Sequence, residues 1–96
     1  MTPLDAYMDA AHKLAAAKRE HAEARFALAN AEARYWVSRR AQVGSDEKIE
    51  AMLLEDTAVE REYVRESRLE LSRARSAHEA AEIEYLAFRQ SSEPQR

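Results

Sequence analysis

Ala41-Gln42-Val43-Gly44-Ser45-Asp46-Glu47 contains the only glycine in a chain of 96 residues. Gly44 can end a helix, because a residue without Cβ adopts helix-terminating conformations without strain. Ser45 then reads as the N-cap of a new helix. Asp46 and Glu47 suit its first turn, where carboxylates meet the exposed amide dipoles. Upstream, nothing interrupts the chain back to Thr2-Pro3-Leu4-Asp5. That run reads as an N-cap, a proline at the first helical position and the acid of a capping box. Downstream, the next stop is Ser91-Ser92-Glu93-Pro94. The expectation is a helix over about 3–42, a turn at 43–45, a second helix over about 46–90 and a polar tail at 91–96. At 1.5 Å per residue each helix would be roughly 60–68 Å long. A connection this short folds the second helix back on the first. The expected fold is therefore all-α, an antiparallel two-helix hairpin of coiled-coil type, and the expected organisation is one domain over 1–96.

Composition agrees. Ala, Glu, Arg, Leu and Lys occur 20, 14, 12, 8 and 3 times, more than half of the chain. Such a share with helical periodicity marks long helices. One Gly and two Pro are too few turn formers for a sandwich, a barrel or a βαβ unit. The absence of Cys excludes disulfides and thiolate metal sites. Apolar runs never exceed four residues, so no transmembrane span or secretory segment is expected.

The apolar columns recur at sevens, which implies left-handed supercoiling. On the first helix Met8, Ala15, Ala22, Ala29, Trp36 and Val43 form one column, and Tyr7, Leu14, Leu28 and Tyr35 an adjoining one. On the second, Val64, Leu71, His78 and Tyr85 run beside Ser67, Ala74, Ala81 and Phe88. Folding back at Gly44 sets Trp36 near Met52, Phe26 near Tyr63 and Val64, and Leu4 and Met8 near Ala81 and Tyr85. Lys18, Arg25 and Glu60 lie on or beside the stripes. Their long stems snorkel to water, or Arg25 pairs with Glu60 and sets the register.

A two-helix hairpin has one internal seam and no third layer. Leu69, Ala80, Ile83, Leu86 and Ala87 lie off the main stripe of the second helix, at the end where Leu4 and Tyr7 widen the apolar face of the first. These residues predict a second interface. Self-association into a four-helix bundle is the expected use, and an unidentified protein partner the rival.

Chemistry finds little footing. His12 and His78 fall at similar heights, but no H-E-x-x-H or E-x-x-H pattern accompanies them, and a structural role is expected of all three histidines. The serines have no nucleophile context. No catalysis, cofactor or metal is expected. Charge says more. Residues 1–44 carry net +2 and residues 45–96 net −5. Arg61, Arg65, Arg68 and Arg75 fall on one flank of the second helix, at spacings of 4, 3 and 7. That flank suits phosphate contacts, or pairing of helices as e and g charges do in coiled coils. The net charge of −3 favours helix pairing, so nucleic acid is not the favoured partner.

Trp36-Val37-Ser38 lacks the Trp-x-Gly turn of secreted WXG100-type hairpins, which sets that family aside. Ala31-Glu32-Ala33-Arg34-Tyr35, Gly44-Ser45 and Tyr85-Leu86-Ala87-Phe88-Arg89 resemble small Ala/Glu/Arg-rich hairpin proteins of tailed bacteriophages and prophages. The resemblance covers about residues 20–90. It implies a cytoplasmic location in a bacterial host and an accessory role in DNA recombination or replication. The residues themselves predict a non-enzymatic protein that self-associates and binds another protein.

Overall fold

The computed structural model describes residues 1–39 and 46–92. Among them the chain is helical almost throughout and has no strand: α1 spans Pro3–Arg39, α2 Asp46–Asp56 and α3 Ala58–Ser92. The turn expected at 43–45 lies outside the described residues, as do the last four residues of the tail.

The start of α1 follows the sequence reading closely. Asp5 N donates to Thr2 Oγ1 at 3.1 Å and Thr2 N to Asp5 Oδ2 at 3.4 Å. This reciprocal capping box satisfies amides that have no partner inside the helix. Two expectations for the second helix need correction. The run expected over 46–90 is interrupted at Thr57, which separates α2 from α3. The helical ladder carries on through the interruption, from Thr57 N to Leu53 O at 3.0 Å and from Arg61 N to Thr57 O at 2.9 Å. The distortion comes from the side chain. Thr57 is 1% exposed, and its hydroxyl donates to Leu53 O at 2.7 Å, a back-bond that bends helices. At the far end, Ser91 and Ser92 belong to α3 rather than to the tail. Both hydroxyls donate to the Phe88 carbonyl, which prolongs the last turn.

The chain divides into two compact units, and both α1 and α3 contribute to each. In the unit formed by Met1–Arg19 with Leu69–Arg96, Ala10 and Leu71 are buried. The Tyr7 ring lies 5.3 Å from the rings of both His78 and Tyr85, tilted against them by 61° and 55°. Such inclined rings set positive edges against negative faces.

In the unit Glu20–Arg68 the buried side chains are Ala24, Tyr35, Thr57, Val64 and Ser67. Tyr35 Oη donates to Ile49 O at 2.8 Å, and Arg61 Nη2 lies 3.5 Å from Glu32 Oε1. Ser67 Oγ donates its proton to Val64 O at 2.9 Å, so it accepts from His21 Nδ1 at 3.0 Å. This assigns the His21 proton to Nδ1. Partners of Tyr35, Glu32 and His21 thus rise in number as α1 is followed toward its start.

Of the two adjoining columns expected on α1, one faces inward and the other does not. Tyr7, Leu14, His21, Leu28 and Tyr35 are buried or half-buried, with Ala10, Ala17, Ala24 and Ala31 beside them. Met8, Ala15, Ala22, Ala29 and Trp36 are exposed. Phe26, expected against Tyr63 and Val64, is 69% exposed instead. Ala24 is fully buried, and Phe26, two residues further on, therefore points to the opposite side of the helix. On α3 the columns Val64, Leu71, His78, Tyr85 and Ser67, Ala74, Ala81 do face inward, but Phe88 is half-exposed. Arg25 and Glu60 form no ion pair; Arg61 and Glu32 form one in that unit instead.

Candidate interaction surfaces

Three surface features remain once the seam is described. The first lies in the unit containing residues 1–19 and 69–92. Leu69, Ile83 and Leu86 of α3 are 51%, 65% and 46% exposed, and Ala80 and Ala87 are exposed beside them. Val64, Leu71, His78 and Tyr85 define the inward side of α3. Leu69 and Ile83 fall five residues beyond Val64 and His78, on the opposite side of the helix. Leu4 of α1 is also exposed. Tyr7 turns inward, against His78 and Tyr85, and adds nothing to the outward face.

The second feature escaped the sequence reading. In the unit Glu20–Arg68, Phe26, Ala27, Asn30, Ala33, Arg34, Val37 and Ser38 line a shallow depression along α1. The recurrence of Phe26, Asn30, Ala33 and Val37 at steps of four, three and four was the signal for an apolar stripe. It was masked by the alanines on every other face of the helix.

The third feature is electrostatic. Arg61, Arg65 and Arg68 surround a hollow of about 260 Å³ floored by Leu28 and Val64. The spacing of 4 and 3 brings these three guanidinium groups onto one side of α3, as expected. Arg75, expected in the same group, belongs to the other unit. Arg61 is held by Glu32 and by Thr57, whose hydroxyl accepts from Arg61 Nε at 2.9 Å. Among the described residues Arg65 pairs with Glu62, at 3.9 Å on the open surface. In the same unit, Tyr63 meets negative charge. Its hydroxyl pKa is raised by partial burial, then by the carboxylates of Glu20 and Glu23 and by a hydrogen bond to Glu20.

No group of three or more His, Cys, Asp or Glu side chains among the described residues is arranged to hold a metal ion. His78 packs on Tyr7, His21 bonds Ser67 and His12 is exposed, so the three do not converge. Every buried side-chain N or O among the described residues has a hydrogen-bond partner. No helix among the described residues is long and apolar enough to cross a membrane. No family model, curated protein or solved structure matches the chain, so its surfaces are what speak for its function.

Proposed function

We propose that this protein is a non-enzymatic helical hairpin that acts by self-association and by binding a protein partner. The antiparallel hairpin is supported within the unit Glu20–Arg68 by the order of contacts, Tyr35 with Ile49, Glu32 with Arg61 and His21 with Ser67. The observation that carries the function is the outward set Leu69, Ile83 and Leu86, with Ala80, Ala87 and Leu4. Ile83 and Leu86 lie within two turns of α3 beside Ala80 and Ala87, and exposed apolar side chains grouped in this way suit an interface, while Leu69 stands about 21 Å away along the helix. A second hairpin laid there completes a four-helix bundle. The phage resemblance supports a setting in a bacterial host's cytoplasm. Sedimentation equilibrium over a wide concentration range tests the proposal. A dimer or larger species at micromolar concentration is expected. A monomer of 11.0 kDa throughout would remove self-association and leave the heterologous partner.

A second reading, an accessory role in DNA recombination or replication, is favoured by Arg61, Arg65 and Arg68 sharing one hollow. It ranks lower because three or four arginines neutralise few phosphates, while the chain carries net −3.

A further inference from the structure

The hollow beside Arg61 has a charge imbalance that the sequence spacing alone does not disclose. Glu32 and Arg61 face each other across α1 and α3 at 3.5 Å. Seven residues before Glu32 on α1 is Arg25, and seven residues after Arg61 on α3 is Arg68. Partners run in opposite directions along the two helices in this unit, so one heptad step carries the Glu32–Arg61 relation over to Arg25 and Arg68. By that step an arginine recurs on α1 where a carboxylate would be needed to repeat the pair, although the hollow itself is lined by Leu28, Arg61, Val64, Arg65 and Arg68 and not by Arg25. Neither Arg25 nor Arg68 has an ion pair among the described residues. Leu28, three residues beyond Arg25, floors the hollow with Val64, and Arg61, Arg65 and Arg68 rim it.

We infer that this hollow binds a dianionic phosphoryl group, the head of a phosphate monoester. Two uncompensated cations match a group carrying about −1.5 to −2 charges at pH 7. A carboxylate would neutralise only one of them. Guanidinium forks donate in parallel pairs to phosphate oxygens, and two forks approaching from different helices use different oxygens of one tetrahedral group. The apolar floor weakens competition from water and strengthens each ion contact. A hollow of about 260 Å³ admits a single phosphoryl group. A continuous phosphodiester backbone would bring further charges against the acidic surroundings of Tyr63, where Glu20 and Glu23 lie. The site is independent of the self-association proposed above.

Inorganic phosphate alone is the first probe, read by ³¹P resonance shift and by thermal melting against chloride at matched ionic strength. Saturable binding is expected, with a melting increment of about 5 °C near ten times the dissociation constant. Arg68→Gln and Arg25→Gln approach the site from different helices. Each is expected to bind phosphate about tenfold more weakly, the effect of one charge-assisted hydrogen bond. Each should melt no lower than the parent in chloride, because one of two opposed like charges is gone. Arg73→Gln, whose partner is Glu70 at 3.1 Å, is expected to bind as the parent does. A melting increment no larger than that of chloride would overturn the site. So would unchanged phosphate affinity in both variants. Equal affinity for an oligonucleotide with and without a 5′-phosphate would assign the cluster to the diester backbone and also end the proposal.

Discussion

Tyr63 shows how a single side chain reports the field around it. Its phenol is neutral when protonated, and partial burial, Glu20 and Glu23 all favour that neutral form, so its pKa in the fold lies above the ordinary 10.0. The sign of the linkage follows. The folded state holds this proton longer than the unfolded chain does, so the associated stability is fully present below pH 10 and is lost as pH rises through the folded value. Absorbance titration at 295 nm is expected to lose a late-titrating component on Tyr63→Phe. A titration curve unchanged in Tyr63→Phe would mean that Tyr63 does not feel these carboxylates. Tyr35 and Trp36 illustrate a different rule. They are neighbours in sequence, yet Tyr35 is 5% exposed and Trp36 51%. Tyr35 fits the seam because its hydroxyl reaches Ile49 O, whereas the larger indole packs its edge against the Tyr35 ring, 5.5 Å away.

At the scale of the element, α1 turns on which of its alanines face inward. Ala24 is fully buried and Phe26 is 69% exposed, so the small residue bears on stability and the large one does not. Ala24→Val is expected to destabilise by about 1–3 kcal/mol through overpacking. Phe26→Asp should stay within about 0.5 kcal/mol of the parent, as surface changes do. Chemical denaturation followed by circular dichroism separates the two, and a Phe26→Asp loss larger than that of Ala24→Val would restore Phe26 to the seam. The same helix shows what the sequence discloses. The capping box Thr2–Asp5 was legible because its residue types act locally. The columns of α3 were legible because Val64, Leu71 and Tyr85 stand out against Arg and Glu on every other side. Which of the two α1 columns faces the seam was not, because alanine on all faces leaves little contrast between inside and outside. The interruption at Thr57 was hidden for another reason: threonine is unremarkable in a helix until its hydroxyl turns back on Leu53 O. Arg61, Arg65 and Arg68 could be placed together from spacing alone. The part played by Arg25 needed the Glu32–Arg61 contact, which lies on two helices.

At the scale of the whole molecule, the outward aliphatic set ties stability to concentration. If a second copy covers Ile83 and Leu86, association draws the folded state forward by mass action, and the melting temperature rises with protein concentration. The double change Ile83→Asp with Leu86→Asp is expected to yield a monomer that keeps its helical signal and melts independently of concentration. Sedimentation and circular dichroism on the same samples check this. An oligomer that persists in that variant would move the interface elsewhere, with the depression beside Phe26 and Val37 as the next surface to probe.

The buried hydroxyl of Thr57 also divides the molecule in time. Before Thr57, α2 has 11 residues, fewer than the roughly 12–15 an isolated helix needs to persist in water. It is tied to α1 by Tyr35 and to α3 through the chain of bonds Arg61–Thr57–Leu53. Opening that begins at the start of α2 can therefore run as far as Thr57 and stop, while α3 stays closed. Amide exchange is expected to step at that residue, with the amides of α2 exchanging through small local openings and those around Val64 and Leu71 only through global unfolding. Tyr35→Phe, which removes the bond to Ile49, should speed exchange in α2 by about fivefold to tenfold and leave the step itself at Thr57.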